Sequence, residues 1–113
     1  MESTRIEKPW GYEEVVARVE WWQVKRLVLR PGEETSTHYH RQKAEFLCVV
    51  RGGGMWWDAG QPHVLAVGRR FMVPPTVRHR LDAADEGLEL LESSFGSDDD
   101  VVRVHDKHGR IAP

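Results

Sequence analysis

The chain has 113 residues, 40% of them hydrophobic and 30% charged, with a net charge of -2. This fits one globular domain over residues 1–113, with its organised core at about 8–110. It gives no footprint for nucleic acid or an anionic membrane surface, no apolar stretch spans a bilayer, and Met1-Glu2-Ser3-Thr4-Arg5 has no apolar signal segment.

Taken in chain order, short β-rich runs are predicted near 12–18, 21–30, 35–40, 45–51, 54–58, 62–66, 70–74, 78–82, 87–95 and 101–105. No helical period persists beyond a turn or two, and this spacing indicates an all-β sandwich or small barrel. Pro31-Gly32, Gly52-Gly53-Gly54, Ala59-Gly60-Gln61-Pro62 and Pro74-Pro75 supply the turns. The first seven residues are expected to be loose, and Asp98-Asp99-Asp100 to form a solvated loop. Cys48, the single cysteine, permits no internal disulfide and packs as a small hydrophobe, which fits a reducing cytoplasm. The five tryptophans include the pairs Trp21-Trp22 and Trp56-Trp57. Neighbours on a strand face opposite ways, so one of each pair can enter the core while the other meets a loop, water or a partner. A homodimer is expected on that ground.

Histidines and one glutamate carry the chemistry. Gly32 to Gly52 reads Gly-x5-His38-x-His40-x4-Glu45-x6-Gly52, followed by Gly68-x5-Pro74 and then His79. His38 and His40 share one face of a strand. A polar turn at Arg41–Ala44 lets Glu45 open the next strand toward the same point. Three imidazoles and a carboxylate suit zinc, manganese, iron, nickel or copper, not calcium. Four protein ligands also leave positions open for water or substrate where the ion is five- or six-coordinate. His63, His105 and His108 fall outside the pattern.

The two runs resemble the two motifs of the cupin superfamily, with Thr76 where the second usually has Gly and Ala83 where it has Asn. The flanks resemble the type II mannose-6-phosphate isomerase-like cupins. Lys8-Pro9-Trp10-Gly11-Tyr12 opens the likeness, and Val24-Lys25-Arg26-Leu27, Pro31-Gly32 and Val77-Arg78-His79-Arg80-Leu81 continue it. Leu88–Glu92, Asp99–Arg103 and Asp106–Arg110 complete it. Departures cluster beside the motif glutamate: His38 stands where that family has Gln, Lys43 where it has Arg, and Phe46-Leu47 where it has His-Trp. The resemblance implies the cupin double-stranded β-helix, with one divalent transition metal per chain. Zinc is the first choice, and manganese, iron, nickel or cobalt are alternatives.

The resemblance further implies aldose–ketose isomerisation of a sugar phosphate, a small-molecule substrate. Lys43 and Glu92 are the candidates for moving the proton. Glu92 is a carboxylate on an otherwise apolar alternation of Leu88, Leu90, Glu92 and Ser94. Lys25, Arg80 and Arg110 are the main phosphate candidates, with Arg26 and Arg78 beside them. Two other classes stay open: a non-haem metal oxygenase using two histidines and Glu45, and a sugar- or small-molecule-binding module without catalysis.

Overall fold

A computed structural model of the chain describes residues 4–97 and 99–110. Nine strands form one curled, hydrogen-bonded sheet among these residues: β1 (Thr4–Lys8), β2 (Gly11–Val19), β3 (Trp22–Leu29), β4 (Thr37–Tyr39), β5 (Ala44–Asp58), β6 (Gln61–Leu65), β7 (Arg70–Val73), β8 (His79–Phe95) and β9 (Val102–His105). Every pairing is antiparallel, in the order β1-β2-β3-β8-β4-β9, and β5 lies against β6, β7 and β8. The all-β barrel expected from the strand spacing is therefore present. No helix among the described residues is long and apolar enough to cross a membrane.

Two expected breaks are continuous strands instead. Residues 78–82 and 87–95 join as β8, and 45–51 and 54–58 join as β5. The register between these two strands shifts at Val49/Arg51 and at Gly52/Gly54. Bulges of this kind bend a sheet without ending it. Glycine is required at this corner. Gly52 has a φ of +75°, and a Cβ on Gly54 would lie 1.9 Å from the Asp82 carbonyl oxygen. The N-terminal expectation is also corrected. Thr4–Lys8 is not loose but pairs along β2 from Thr4↔Val15 to Lys8↔Gly11, while residues 1–3 lie outside the described residues.

The inner face of the sheet is layered. Strands β3, β8 and β5 place Gln23, Ser94 and Glu45 in one row, and Lys25, Glu92 and Leu47 in the next. Leu27, Leu90 and Val49 follow, and then Leu29 and Leu88. All of these are buried. One end of the barrel is thus apolar and continuous with Leu65, Leu81 and the Trp56–Phe71 stack, whose centroids are 4.1 Å apart. The other end holds buried polar and charged groups. Burying such groups is costly unless they are paired, so the polar end is where the fold sacrifices stability.

The tryptophan pairs divide differently from expectation. Trp56 is in the core and Trp57 outside, but neither Trp21 nor Trp22 enters it. Trp21 is 64% exposed and stacks on Phe95, while Trp22 lies on the outer face and donates to Ser93 Oγ at 2.8 Å. The alternation of β3 sends Gln23 and Lys25 inward, and therefore Trp22 outward.

Candidate functional site

The curl brings the start of β8 over the start of β5. His38 pairs with His79 across β4 and β8, and His40 follows the end of β4. Glu45, the second residue of β5, faces them from the opposite wall. The ligand atoms of His38, His40 and His79 all lie within 4.8 Å of one another. Glu45 Oε1 is 3.1 Å from His40 Nε2 and 3.2 Å from His79 Nε2. The four residues singled out by spacing therefore meet at one buried point.

Each imidazole is held from behind by a backbone carbonyl. His38 Nδ1 lies 2.8 Å from Ser36 O, His79 Nδ1 lies 2.9 Å from Val77 O, and His40 Nδ1 bonds to Asp100 O. A carbonyl can only accept, so each Nδ1 carries the proton, and a neutral ring presents a bare lone pair at Nε2. Second-sphere bonds of this kind fix metal-ligating histidines. His40 Nε2 is buried without a hydrogen-bond partner, although Glu45 Oε1 is close. Lone pair facing carboxylate is repulsive unless a cation lies between them. At His38, burial and then the charge of His79 push the imidazole down to about 3. Three imidazoles and a carboxylate converging on one point are a donor set that fits a divalent transition metal.

Behind Glu45 lies a second carboxylate. Lys43 Nζ is 3.7 Å from Glu45 Oε2 and 3.4 Å from Glu92 Oε1. The two carboxyls are driven apart. Burial raises Glu45, but its contacts with His40, His79 and Glu92 and the charge of Lys43 hold it well below the usual range. Burial and the charge of Glu45 push Glu92 well above it. Glu45 is thus the more acidic of the two, and Glu92 the one with the greater hold on a proton. Divergent carboxyls in one site are the pattern of an acid–base pair.

These groups line a cavity of about 160 Å³, room for roughly ten water-sized groups. Its apolar wall comes from Trp10, Leu27, Leu47, Phe71, Val73 and Leu81, and half-buried Ile6, Lys8, Arg103 and Arg110 mark its mouth. Lys25 lies in the wall, 3.2 Å from Glu13 Oε2. Arg80 does not reach the cavity. Along β8, His79 and Leu81 face inward, so Arg80 and Asp82 face outward. There Arg80 grips Asp82 at 2.7 and 3.0 Å and covers Trp57. Arg26 is likewise outside, against Tyr12 and Glu89. Arg78 lies over Tyr39. His63, His105 and His108 stay outside the cluster.

Two supporting residues were not assigned to the site from sequence. Asp100 was expected in a solvated acidic loop, yet its carboxylate accepts from the backbone N–H of Arg41, Gln42 and Lys43 at 2.9, 2.7 and 3.0 Å. Those bonds, Gln42's first, lower its proton affinity. Asp100 thus ties down the turn between the ligand strands as well as His40. Asp98 lies outside the described residues. Thr76 holds the other side of His40: it adopts a φ of +71°, and its N–H donates to His40 O at 2.6 Å. A β-branched residue is strained there.

Comparison with known proteins agrees with this architecture. The family model described as mannose-6-phosphate isomerase C-terminal matches residues 1–106. A mannose-1-phosphate guanylyltransferase of Salmonella montevideo is 33% identical over 109 residues, 93% of this chain and 23% of that protein. The xanthan biosynthesis protein XanB of Xanthomonas campestris is 32% identical over 110 residues, 94% of this chain and 24% of its own length. The chain thus spans about a quarter of the length of the curated relatives it matches. Among solved structures, the capsular polysaccharide assembling protein CapF of Staphylococcus aureus superposes with a TM-score of 0.82 at 14% identity, over 93% of this chain and 33% of that one. KdgF of a Halomonas species gives 0.74 at 21% identity, over 88% and 90%. At such identities the likeness concerns the fold. The chain has the cupin fold and belongs to the mannose-6-phosphate isomerase C-terminal family.

Proposed function

We propose that this protein is a metal-dependent sugar-phosphate isomerase, interconverting an aldose and a ketose phosphate. The observation that carries the reading is the convergence of three Nδ1-anchored histidines and Glu45, with Lys43 bridging Glu45 to the buried Glu92. His38, His40, Glu45 and His79 would hold the metal, with zinc the first choice. When bound, the ion supplies Lewis-acid polarisation of the substrate's oxygens.

The chain's own residues supply the proton handling. Aldose–ketose isomerisation moves one proton between adjacent carbons and another between their oxygens. Glu92, raised by burial and by the charge of Glu45, would give its proton to the substrate's carbonyl oxygen and take the carbon-bound proton as the resulting carboxylate. It would then return that proton to the adjacent carbon and recover one from the hydroxyl there. Lys43 spans Glu45 and Glu92, and so positions the pair and offsets negative charge that develops in the substrate. The apolar wall of Leu47, Phe71 and Val73 excludes water from that exchange.

The test is elemental analysis of the purified protein, followed by assay with mannose 6-phosphate and the metal found. Interconversion with fructose 6-phosphate, and solvent hydrogen exchange at C2, are the expected results. Binding without exchange would make the chain a binding module. Oxygen consumption by an iron-loaded protein would make it an oxygenase.

The outer face supports a homodimer as part of the same reading. Trp21, Phe46, Met72, Leu91 and Phe95 are between 38% and 64% exposed. Phe46 pairs with Met72 and Trp21 stacks on Phe95. Together they offer on the order of 500 Å² of apolar surface, most of the roughly 800 Å² each partner of a stable dimer buries. A second copy would cover this face. Sedimentation of the wild type and of Phe95→Glu tests it: the variant should run as a monomer, and a wild-type monomer would sink the dimer.

A further inference from the structure

Arg103 has no part in the chemistry above, yet the topology delivers it to the site. In the β4–β9 pairing it lies directly opposite His38. Partners across an antiparallel pair project from the same face of the sheet, so the guanidinium rises beside the His38 ring, and both line the same cavity. It is short of acceptors. Its Nε is buried with no hydrogen-bond partner.

The nearby carboxylate is already committed. Asp106 is gripped by Arg110, from Nε to Oδ2 at 2.7 Å and from Nη2 to Oδ1 at 3.3 Å, and it also accepts from the backbone N–H of His108 and Arg110. Asp106 is thus taken by Arg110 and acts on Arg103 only through its charge. Burial and the charge of Arg110 both act against the Arg103 cation. Deeper in the wall, Lys25 faces Glu13, and Lys43 faces Glu45 and Glu92. Positive charge in excess of its acceptors, at the opening of a cavity whose interior is built to react, is what an anionic ligand relieves.

We propose that Arg103, with Arg110 beside it, forms the anion subsite of this cavity and grips the phosphate of a phosphomonoester whose reactive end reaches the histidines. The proposal rests on the sugar-phosphate reading and names the residue that fixes the charged end of the substrate. Arginine suits the task because its planar fork offers a phosphate two parallel donors. Distance favours the mouth over the wall, because a phosphate at the far carbon of a hexose must lie away from the carbons that exchange the proton. Arg80, on the outer face, has no part in it.

Calorimetric titration of the purified protein with mannose 6-phosphate and with mannose tests the assignment. The wild type should bind the ester at least tenfold tighter than the free sugar. Arg103→Gln should lose that advantage while its affinity for mannose changes less than twofold, a selectivity that a merely structural defect would not produce. Arg103→Lys, which keeps the charge without the fork, should fall between them. An unchanged preference for the ester in Arg103→Gln would overturn the subsite and leave the sugar-phosphate reading standing. A wild type that does not distinguish ester from sugar would overturn both. Should the glutamine variant fail to fold, Arg103→Lys carries the decision: wild-type affinity for the ester would refute the bidentate grip.

Discussion

The two faces of this curled sheet treat charge in opposite ways. Outside, Arg80 meets Asp82 and Arg5 meets Glu7 in pairs that remain substantially open to water. Such pairs contribute about 0–1 kcal/mol each. Inside, Lys25, Lys43, Glu45 and Glu92 are almost wholly buried. There the cost of removing charge from water rivals or exceeds the attraction between partners. A fold seeking only stability would fill the row of Lys25, Glu92 and Leu47 with leucine, as the next row already does with Leu27, Leu90 and Val49. The inner charges therefore mark the part of the molecule whose make-up stability alone does not explain.

Substitutions can break or sharpen this contrast. The largest effect is expected from His40→Ala or His79→Ala. Each should remove most bound metal and lower the melting temperature by roughly 10–20 °C, the equivalent of about 3 kcal/mol of linked binding. Elemental analysis and calorimetry read both quantities, and full metal content in both variants would defeat the metal assignment.

Next comes the pair of carboxyls. Glu92→Gln replaces a neutral acid by a neutral amide, so stability should change by less than about 1 kcal/mol while turnover falls about 10²–10⁴-fold. Glu45→Gln removes a charge that three cationic or ligating neighbours depend on, and should destabilise by about 3 kcal/mol. Equal denaturation midpoints for the two variants would show that the carboxyls do not differ.

A smaller effect is expected from pH. His38 is neutral in the folded metal-free protein down to about 3, whereas an unfolded imidazole titrates near 6.5. Its folded value is depressed, so its contribution is complete above about pH 6.5 and is lost as the pH falls toward 3. Between pH 7 and 5 the metal-free protein should lose about 2 kcal/mol through this residue. His38→Gln should flatten that slope in denaturant titrations; identical slopes would place a charged imidazole there. The smallest effect belongs to the outer face. Arg80→Ala should cost less than about 1 kcal/mol and leave binding of a phosphate ester unchanged. Weakened ester binding would return Arg80 to the site.

The convergence of His38, His40, Glu45 and His79 was legible because spacing encodes it: two positions apart on a strand puts His38 and His40 on one face, and the glycine-bounded runs delimit the barrel. Strand existence was legible for the same reason. What sequence could not convey was register. Whether Arg80 or its neighbour faces inward depends on how β8 meets β3 and β5, and a shift of one residue reverses every side chain. Arg103 was missed because its proximity to His38 arises from pairing between strands 65 positions apart. The Gly52–Gly54 corner read as a turn because glycines mark both turns and bulges. Asp100 read as solvated acid because a run of aspartates carries no hint of the backbone donors that its last member will find.

Asp100 also imposes a schedule. The residues it secures lie 57 to 60 positions earlier in the chain. During synthesis all four ligand residues have been made once His79 is added, but the bond that orients His40 must wait for another 21 residues, roughly one to four seconds at ordinary elongation rates. Until then the four side chains are present without being aimed. The cluster is completed only when β9 arrives, with the carbonyl and carboxylate of Asp100 just ahead of it.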